Sequence, residues 1–202
     1  MLSWFLAVSV FALPGAFAGS RLGRIAPASQ GLWEEVLREN APLGDPQSFF
    51  WLAVAHANLG QLEESRTAFE RWDKADPQRK TTKLLVSESR ALLAQDPGDL
   101  QGLNGLAFLA YAEGNYAEAI NYFQSVVSID EQNPWPRCYL GFSLGKNGQV
   151  NAAVKVLEEG VRLFPDNEVL HFLLGMAYYR KGLFARALLE MAKAPGALRY
   201  FR

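Results

Sequence analysis

A single spacing of about 34 residues, repeated along the chain, constrains this sequence more than any other feature. Gly114, Gly148 and Gly182 follow one another at that interval, and each interrupts a run of apolar residues at a polar turn. Two further residue classes keep the same register: Leu106, Leu140 and Leu174, and Ala119, Ala153 and Ala187. An internal repeat of this length predicts stacked supersecondary units that bury a continuous core between neighbours.

Each repeat unit is predicted to form two helices joined by a tight turn. Apolar residues recur at helical spacing on both sides of the turn glycine, for example Leu103 and Leu106 before Gly114, and Ala119 and Phe123 after it. Glycine suits the turn because it accepts positive φ at the end of a helix. Small residues at fixed positions allow the two helices to approach closely: Ala107, Gly141 and Gly175 in the first helices, and Ala119, Ala153 and Ala187 in the second.

This combination of spacing and residue types resembles the tetratricopeptide repeat. The pairs that carry the resemblance are Leu106-Ala107, Leu140-Gly141 and Leu174-Gly175 in the first helices, and Ala119/Phe123, Ala153/Leu157 and Ala187/Met191 in the second. The closing proline of the family is matched by Pro165 and replaced by Glu131 one unit earlier, and in the first unit Trp72 occupies a position that is normally small. The resemblance implies an all-α fold, an α-solenoid of antiparallel helix hairpins in a right-handed superhelix, with about four repeats plus extra helices.

Aligned on the turn glycines, the units cover residues 46–79, 100–133, 134–167 and a shorter terminal unit, 168–194. The interval from Gly60 to Gly114 exceeds one period by the length of a further helix and its turn, so residues 80–99 hold an inserted helix within 80–95. That helix is either a hinge or a degenerate half repeat. Residues 19–45 contain a linker and a short helix over Gln30 to Asn40, and residues 195–202 form a tail.

Residues 1–18 contain no charged side chain and end in Ala16-Phe17-Ala18, a small residue at each end of the triplet. This pattern is typical of a secretory signal peptide or of an uncleaved membrane anchor. We therefore expect an exported or membrane-anchored protein, with the membrane involved only through residues 1–18. The alternative is a buried N-terminal helix of a cytoplasmic protein, because the segment lacks a basic residue before its apolar run and Arg21 and Arg24 follow it.

The resemblance also implies a concave groove, lined by the first helix of each unit, that binds a peptide segment. Its groove-facing places are mostly apolar or aromatic here, and the ninth place of each unit carries Val54, Phe108, Phe142 or Met176 rather than the polar residues of a carboxylate clamp. The predicted peptide-binding residues are Phe50, Asn104, Phe108, Tyr111, Trp135, Phe142, Lys146, Phe172, Met176, Tyr179 and Arg180. An aromatic groove of this extent predicts that a partner, or part of the same chain, covers it.

Composition argues against other classes of function. The chain has 20 basic and 21 acidic residues, so it offers no basic face for nucleic acid. Its single cysteine, Cys138, and two histidines form no metal-ligand spacing, and we expect no cofactor and no metal. Cys138 and His171 are separated by nearly one period, which places their helices side by side, yet no residue is evident to orient the imidazole. We expect a protein that is not an enzyme.

Two functions remain open. The first is a protein–protein interaction scaffold or adaptor that binds a polypeptide segment in the apolar groove, in the assembly of envelope or secreted proteins. The alternative is a structural subunit of a homo-oligomer or larger complex with no separate peptide ligand. The last helix carries Leu188, Leu189 and Met191 without a polar outer face, which predicts self-association or partner docking through that end.

Overall fold

The computed structural model describes residues 29–196, and all regular secondary structure in that range is helical, which confirms the predicted class. Within residues 29–196 ten helices follow one another: α1 Gln30–Asn40, α2 Pro46–Asn58, α3 Leu62–Ala75, α4 Thr82–Gln95, α5 Leu100–Ala112, α6 Tyr116–Ile129, α7 Pro134–Lys146, α8 Val150–Leu163, α9 Glu168–Arg180 and α10 Phe184–Ala192. Helices α5, α7 and α9 begin at the first residue of a predicted unit. Residues 1–18, and with them the predicted signal peptide or anchor, lie outside the described residues.

The turn glycines adopt the predicted left-handed backbone. Gly60, Gly114, Gly148 and Gly182 have φ between 73° and 81°. Polar caps begin the first helix of each hairpin: the side chains of Asp45, Asp99, Asn133 and Asn167 each accept a hydrogen bond from a backbone N–H in the first turn. These caps satisfy amide groups that have no partner within the helix, so each hairpin has a defined start and a defined reversal.

Close approach at the predicted small residues holds each hairpin together. A Cβ added to Gly141 would lie 2.6 Å from Leu157 Cδ2, and one added to Gly175 would lie 2.6 Å from Met191 Cγ. Ala119 and Ala153 are fully buried. From α5 to α10 each helix packs on the next, and the first helices α7 and α9 also touch, so these helices form a serial stack.

The inserted helix α4 packs along α5. A Cβ on Gly102 would lie 2.8 Å from the Ser89 carbonyl oxygen, and one on Gly105 would lie 2.3 Å from Ser89 Oγ. The backbones of α4 and α5 are therefore in near contact, as the two helices of a hairpin are elsewhere in the stack.

The first hairpin does not continue the stack but crosses it. Along α2, the Gln47 side chain bonds to Glu88 on α4, Trp51 lies against Gly105 on α5, and Asn58 donates to Asn104 on α5 at 3.1 Å. The α2–α3 turn then meets the start of α7, where the Trp135 indole lies against Gly60. Helix α2 thus runs across α4, α5 and the start of α7.

None of the helices between residues 29 and 196 combines the length and the apolar character that crossing a bilayer requires.

Candidate protein-binding surface

Four of the eleven predicted groove residues are not at the surface. Phe50, Asn104, Phe108 and Phe172 are exposed to between 0% and 5%. The expectation that they line an open groove is wrong for the described fold. These four side chains belong to the hydrophobic core, so the open binding surface contains fewer residues than the sequence predicts.

The aromatic core explains the burial of Phe108 and Phe50. The Phe108 ring lies 5.2 Å from Phe123 and 4.8 Å from Tyr139, both in edge-to-face geometry, and 5.9 Å from Phe69 of the crossing hairpin. Phe50 packs at 5.1 Å on Trp72. Rings arranged in this way stabilise one another beyond the area that they bury. Phe69 of the first hairpin therefore gives Phe108 the cover that the sequence assigns to a partner or to part of the same chain.

Polar contacts fix the crossing hairpin in place. The Asn133 amide donates to the Asn58 carbonyl at 3.2 Å, and Ser29 Oγ donates to Asp130 Oδ2 at 2.5 Å. Trp135, another predicted groove residue, is half-buried beneath Gly60. Buried polar groups fix one orientation because any other leaves them unpaired.

Four of the remaining predicted residues meet at a small open hollow between α7 and α9. The hollow encloses about 70 Å³ and is lined by Phe142, Lys146, Met176 and Arg180. The Arg180 guanidinium donates to the Gly145 carbonyl and so joins the two helices on one side. The repeat period brings these side chains together, since residues 142 and 176, like residues 146 and 180, are one repeat apart.

An aromatic strip extends the hollow towards α5 and α6. Tyr111 lies 5.8 Å from Phe142 and 5.8 Å from Tyr116, and Lys146 Nζ lies 5.9 Å from the Tyr116 and Phe142 rings. The Tyr111 hydroxyl is buried and has no hydrogen-bond partner in the part of the chain that the structure describes, and burial raises the pKa of this phenol well above its ordinary value. The strip thus presents ring faces and one cation, which suits an apolar side chain with a nearby acceptor.

A second apolar surface lies at the end of the stack, and the sequence pattern indicates only part of it. Tyr179 and Phe184 are 5.4 Å apart and more than 60% exposed, as are Leu188 and Leu189. Sequence reasoning misses Phe184, although this residue stands one period after Val150, at the entry to the second helix.

Comparison with the equivalent positions of the earlier repeats shows that no described helix covers this end. Ile120 and Val154, the equivalents of Leu188, are 5% and 6% exposed because the next first helix covers them, whereas Leu188 is 71% exposed. The predicted apolar end of the described fold is therefore present, and it has the chemistry of the internal stacking faces.

The described residues do not assemble a catalytic pair from Cys138 and His171. The His171 ring nitrogens lie 2.6 Å from Glu190 Oε2 and 2.8 Å from the Pro165 carbonyl oxygen. Both partners accept hydrogen bonds, so His171 ties α10 to the loop before α9. Cys138 is fully buried, and burial raises the pKa of its thiol well above the ordinary range. Within residues 29–196 no group of three potential metal-ligating side chains is assembled.

Family models place the chain by sequence. Two tetratricopeptide repeat models match, one over residues 110–162 and the other over residues 21–80 and 140–199. A curated relative, the TPR repeat-containing thioredoxin TTL4 of Arabidopsis thaliana, is 30% identical over 89 residues, which is 44% of this chain. The chain spans 13% of the length of that relative.

Solved structures agree at the level of the fold. The MamA RS-1 ArsTM double mutant matches with a TM-score of 0.57 at 15% identity, covering 87% of this chain and 97% of that one. A crystal structure of MamA protein matches at 0.53 with 16% identity, covering 77% and 93%. The structure of MamA MSR-1 C2 matches at 0.52 with 17% identity, covering 74% and 94%. With its repeated hairpins, its turn glycines and a family model that matches more than half of its length, the chain belongs to the tetratricopeptide repeat family.

Proposed function

We propose that this protein is a scaffold that binds other proteins, and that it holds a partner segment in the hollow between α7 and α9. The observation that carries the proposal is the convergence of Phe142, Met176, Lys146 and Arg180 around one open depression. Aromatic and arginine side chains supply much of the energy at protein interfaces. The two apolar side chains would hold an apolar group of the partner, and the two cations would orient an acidic one.

Site-directed photocrosslinking tests this surface. A benzophenone amino acid at Met176, which is half-buried at the hollow, should give an adduct with a partner protein in the source cells. The same label at Lys155, on the exposed face of α8, is the matched control. The identified partner is then purified, and Phe142→Ala should weaken its binding by about tenfold or more while leaving helical content unchanged. Equal adducts at both positions would contradict the proposal.

A structural subunit without a separate ligand is the second candidate, and the exposed end of the stack favours it. Tyr179, Phe184 and Leu188 are uncovered, and apolar patches of this kind mark contact sites. Self-association through α10 would bury them. Adducts that contain only further copies of this chain, together with a concentration-dependent mass in sedimentation, would favour this interpretation over the scaffold.

The proposed place of work is the cell envelope or the exterior. Its support is the uncharged, apolar composition of residues 1–18 and the small residues Ala16 and Ala18. Fractionation of the source cells with N-terminal sequencing of the mature chain tests it. A chain that begins at Gly19 in an exported fraction supports cleavage and export, and an intact chain in the cytosolic fraction contradicts both.

A further inference from the structure

A cleft separate from the hollow lies between the first hairpin and two loops of the stack. One wall is formed by α1 and the end of α2, and the other by the loop that joins α6 to α7 and the loop that joins α8 to α9. We call it the loop cleft. It encloses about 740 Å³, a size that accepts several residues of an extended polypeptide. Of the eleven predicted groove residues, only Trp135 lines it.

The walls of the loop cleft are fixed before any ligand arrives. Asn133 accepts from the Trp135 N–H at 3.1 Å and donates to the Asn58 carbonyl. Asn167 accepts from the Leu170 N–H at 3.0 Å, which fixes the start of α9. A site whose walls are already bonded loses little conformational freedom when it binds.

Asn58 lines the cleft and carries a buried side-chain acceptor. Its side chain is 3% exposed, and its amide nitrogen donates to the Val54 carbonyl at 2.9 Å and to Asn104 Oδ1 at 3.1 Å. None of residues 29–196 donates a hydrogen bond to its Oδ1. A buried acceptor without a partner is unfavourable, so a side-chain shift that let a donor in the cleft reach this oxygen would gain more than an ordinary surface contact. A backbone N–H is such a donor.

The remaining lining selects the kind of segment. Glu34 contributes a carboxylate whose Oε1 accepts from the Gln30 side-chain amide at 2.8 Å, and no lysine or arginine is found among the described residues that line the cleft. The Arg137 guanidinium is not part of the lining: it lies 5.7 Å from the Phe164 ring and donates to the Glu131 carbonyl at 2.7 Å. The cleft therefore favours a basic side chain.

Apolar and amide side chains complete the site. Trp135 and Phe164 provide apolar surface, and Gln61 and Gln132 provide side-chain amides, which can both donate to and accept from a peptide backbone. We propose that the loop cleft binds an extended segment of a partner polypeptide that carries a lysine or arginine next to an apolar residue. The proposal rests on the proposed function in that the ligand is a polypeptide, but it names a second site with its own chemistry.

The test uses a defined probe on the full chain. An acetylated and amidated peptide, Ala-Leu-Arg-Leu-Ala, is titrated into isotope-labelled protein, and the Trp135 indole and Asn58 amide signals are followed by NMR. Both should shift on binding, and the counterpart peptide with glutamate in place of arginine should leave them unmoved. Glu34→Gln should weaken binding by about two- to fivefold, the effect of losing one partly exposed ion pair. Glu35→Gln, on the outer face of the same helix, is the matched control and should bind as the parent does.

Three results would overturn the proposal. The first is equal binding of the arginine and glutamate peptides, and the second is a shift confined to the hollow around Lys146. The third is movement of the Trp135 signal without peptide when Arg21 and Arg24 are replaced by serine, which would make the chain itself the occupant. Two variants separate the two sites. Phe142→Ala should weaken binding of the crosslinked partner and leave peptide binding unchanged, because it alters only the hollow. Glu34→Gln should weaken peptide binding and leave the crosslinked partner bound, because it alters only the loop cleft.

Discussion

Substitution of Gly60 by alanine tests the crossing of the first hairpin over the stack. Gly60 has φ of 73°, and an added Cβ would lie 2.3 Å from two atoms of the Trp135 indole. The change therefore has two costs. A left-handed backbone with a side chain costs about 1–2 kcal/mol, and forcing a packed ring aside costs about 1–3 kcal/mol more.

The chain supplies its own control. Gly148 has φ of 81° and sits at the same place in a later hairpin, but an added Cβ there would meet nothing within 4 Å. Gly148→Ala thus carries the backbone cost alone, about 1–2 kcal/mol. The excess for Gly60→Ala is the part assigned to Trp135, and it exists only if the α2–α3 turn rests on the start of α7.

Urea unfolding followed by circular dichroism measures the difference. With a denaturant slope of about 2 kcal/mol per molar, an excess of about 1–3 kcal/mol lowers the midpoint of Gly60→Ala by roughly 0.5–1.5 M relative to Gly148→Ala. In a Trp135→Leu background the excess should shrink, since the ring that the methyl group meets is gone. Equal midpoints for the two glycine variants in the parent chain would refute the packing of Trp135 on Gly60.

Three further predictions follow from the other end of the molecule and from the core. Burial opposes the charge on Glu190, but hydrogen bonds from Lys193 and His171 outweigh burial and lower the pKa of the Glu190 carboxyl. The ionised carboxylate therefore stabilises α10 fully above the ordinary carboxyl pKa, and this stabilisation is lost as the pH falls through the lower pKa of the folded state. Glu190→Gln should remove this loss of stability at acid pH in thermal melts. The proposed self-association through α10 predicts a concentration-dependent mass in sedimentation that Leu188→Glu abolishes, and an association that Leu188→Glu leaves unchanged would contradict it. Cys138 should resist a thiol reagent in the folded protein and react fully in denaturant, because the thiol is buried and its pKa is raised; fast reaction in the native state would contradict that packing.

The stacked part of the fold is predictable because its information is local and periodic. Gly148 and Gly182 mark reversals, and Gly141 and Gly175 mark close contacts, at positions set by one interval. The bounds of α1 also follow from local signals, since Trp33 and Val36 form the apolar face that the structure buries. Hairpin geometry depends on neighbours in sequence, so a single chain suffices to derive it.

The crossing of the first hairpin is not predictable in the same way. Its contacts join residues with no shared register: Asn58 with Asn104, and Gly60 with Trp135. The inserted helix interrupts the repeat period just before the stack. No local sequence signal indicates how the first hairpin is oriented relative to the stack. Sequence reasoning assigns Phe108 to the groove because an aromatic residue at a groove position looks the same in sequence whether a partner or the chain itself covers it.

The placement of the hollow falls between these cases. Phe142 and Met176 are one period apart, so their alignment on adjacent first helices follows from the repeat. Their accessibility does not, because it depends on how far the first hairpin reaches along the stack. The loop cleft is not predictable from the sequence at all, since residues such as Asn133 and Asn167 indicate only helix caps there.

The crossing of the first hairpin makes the two ends of the repeat array different. Because α4 packs closely on α5 and α2 crosses both helices, a new repeat module placed ahead of α5 would have to displace them. The far side, where Leu188 repeats the chemistry of Ile120 and Val154, carries no such obstruction among the described residues. Within the described residues, a repeat module added by duplication or by design would therefore meet an obstruction ahead of α5 and an uncovered stacking face at α10.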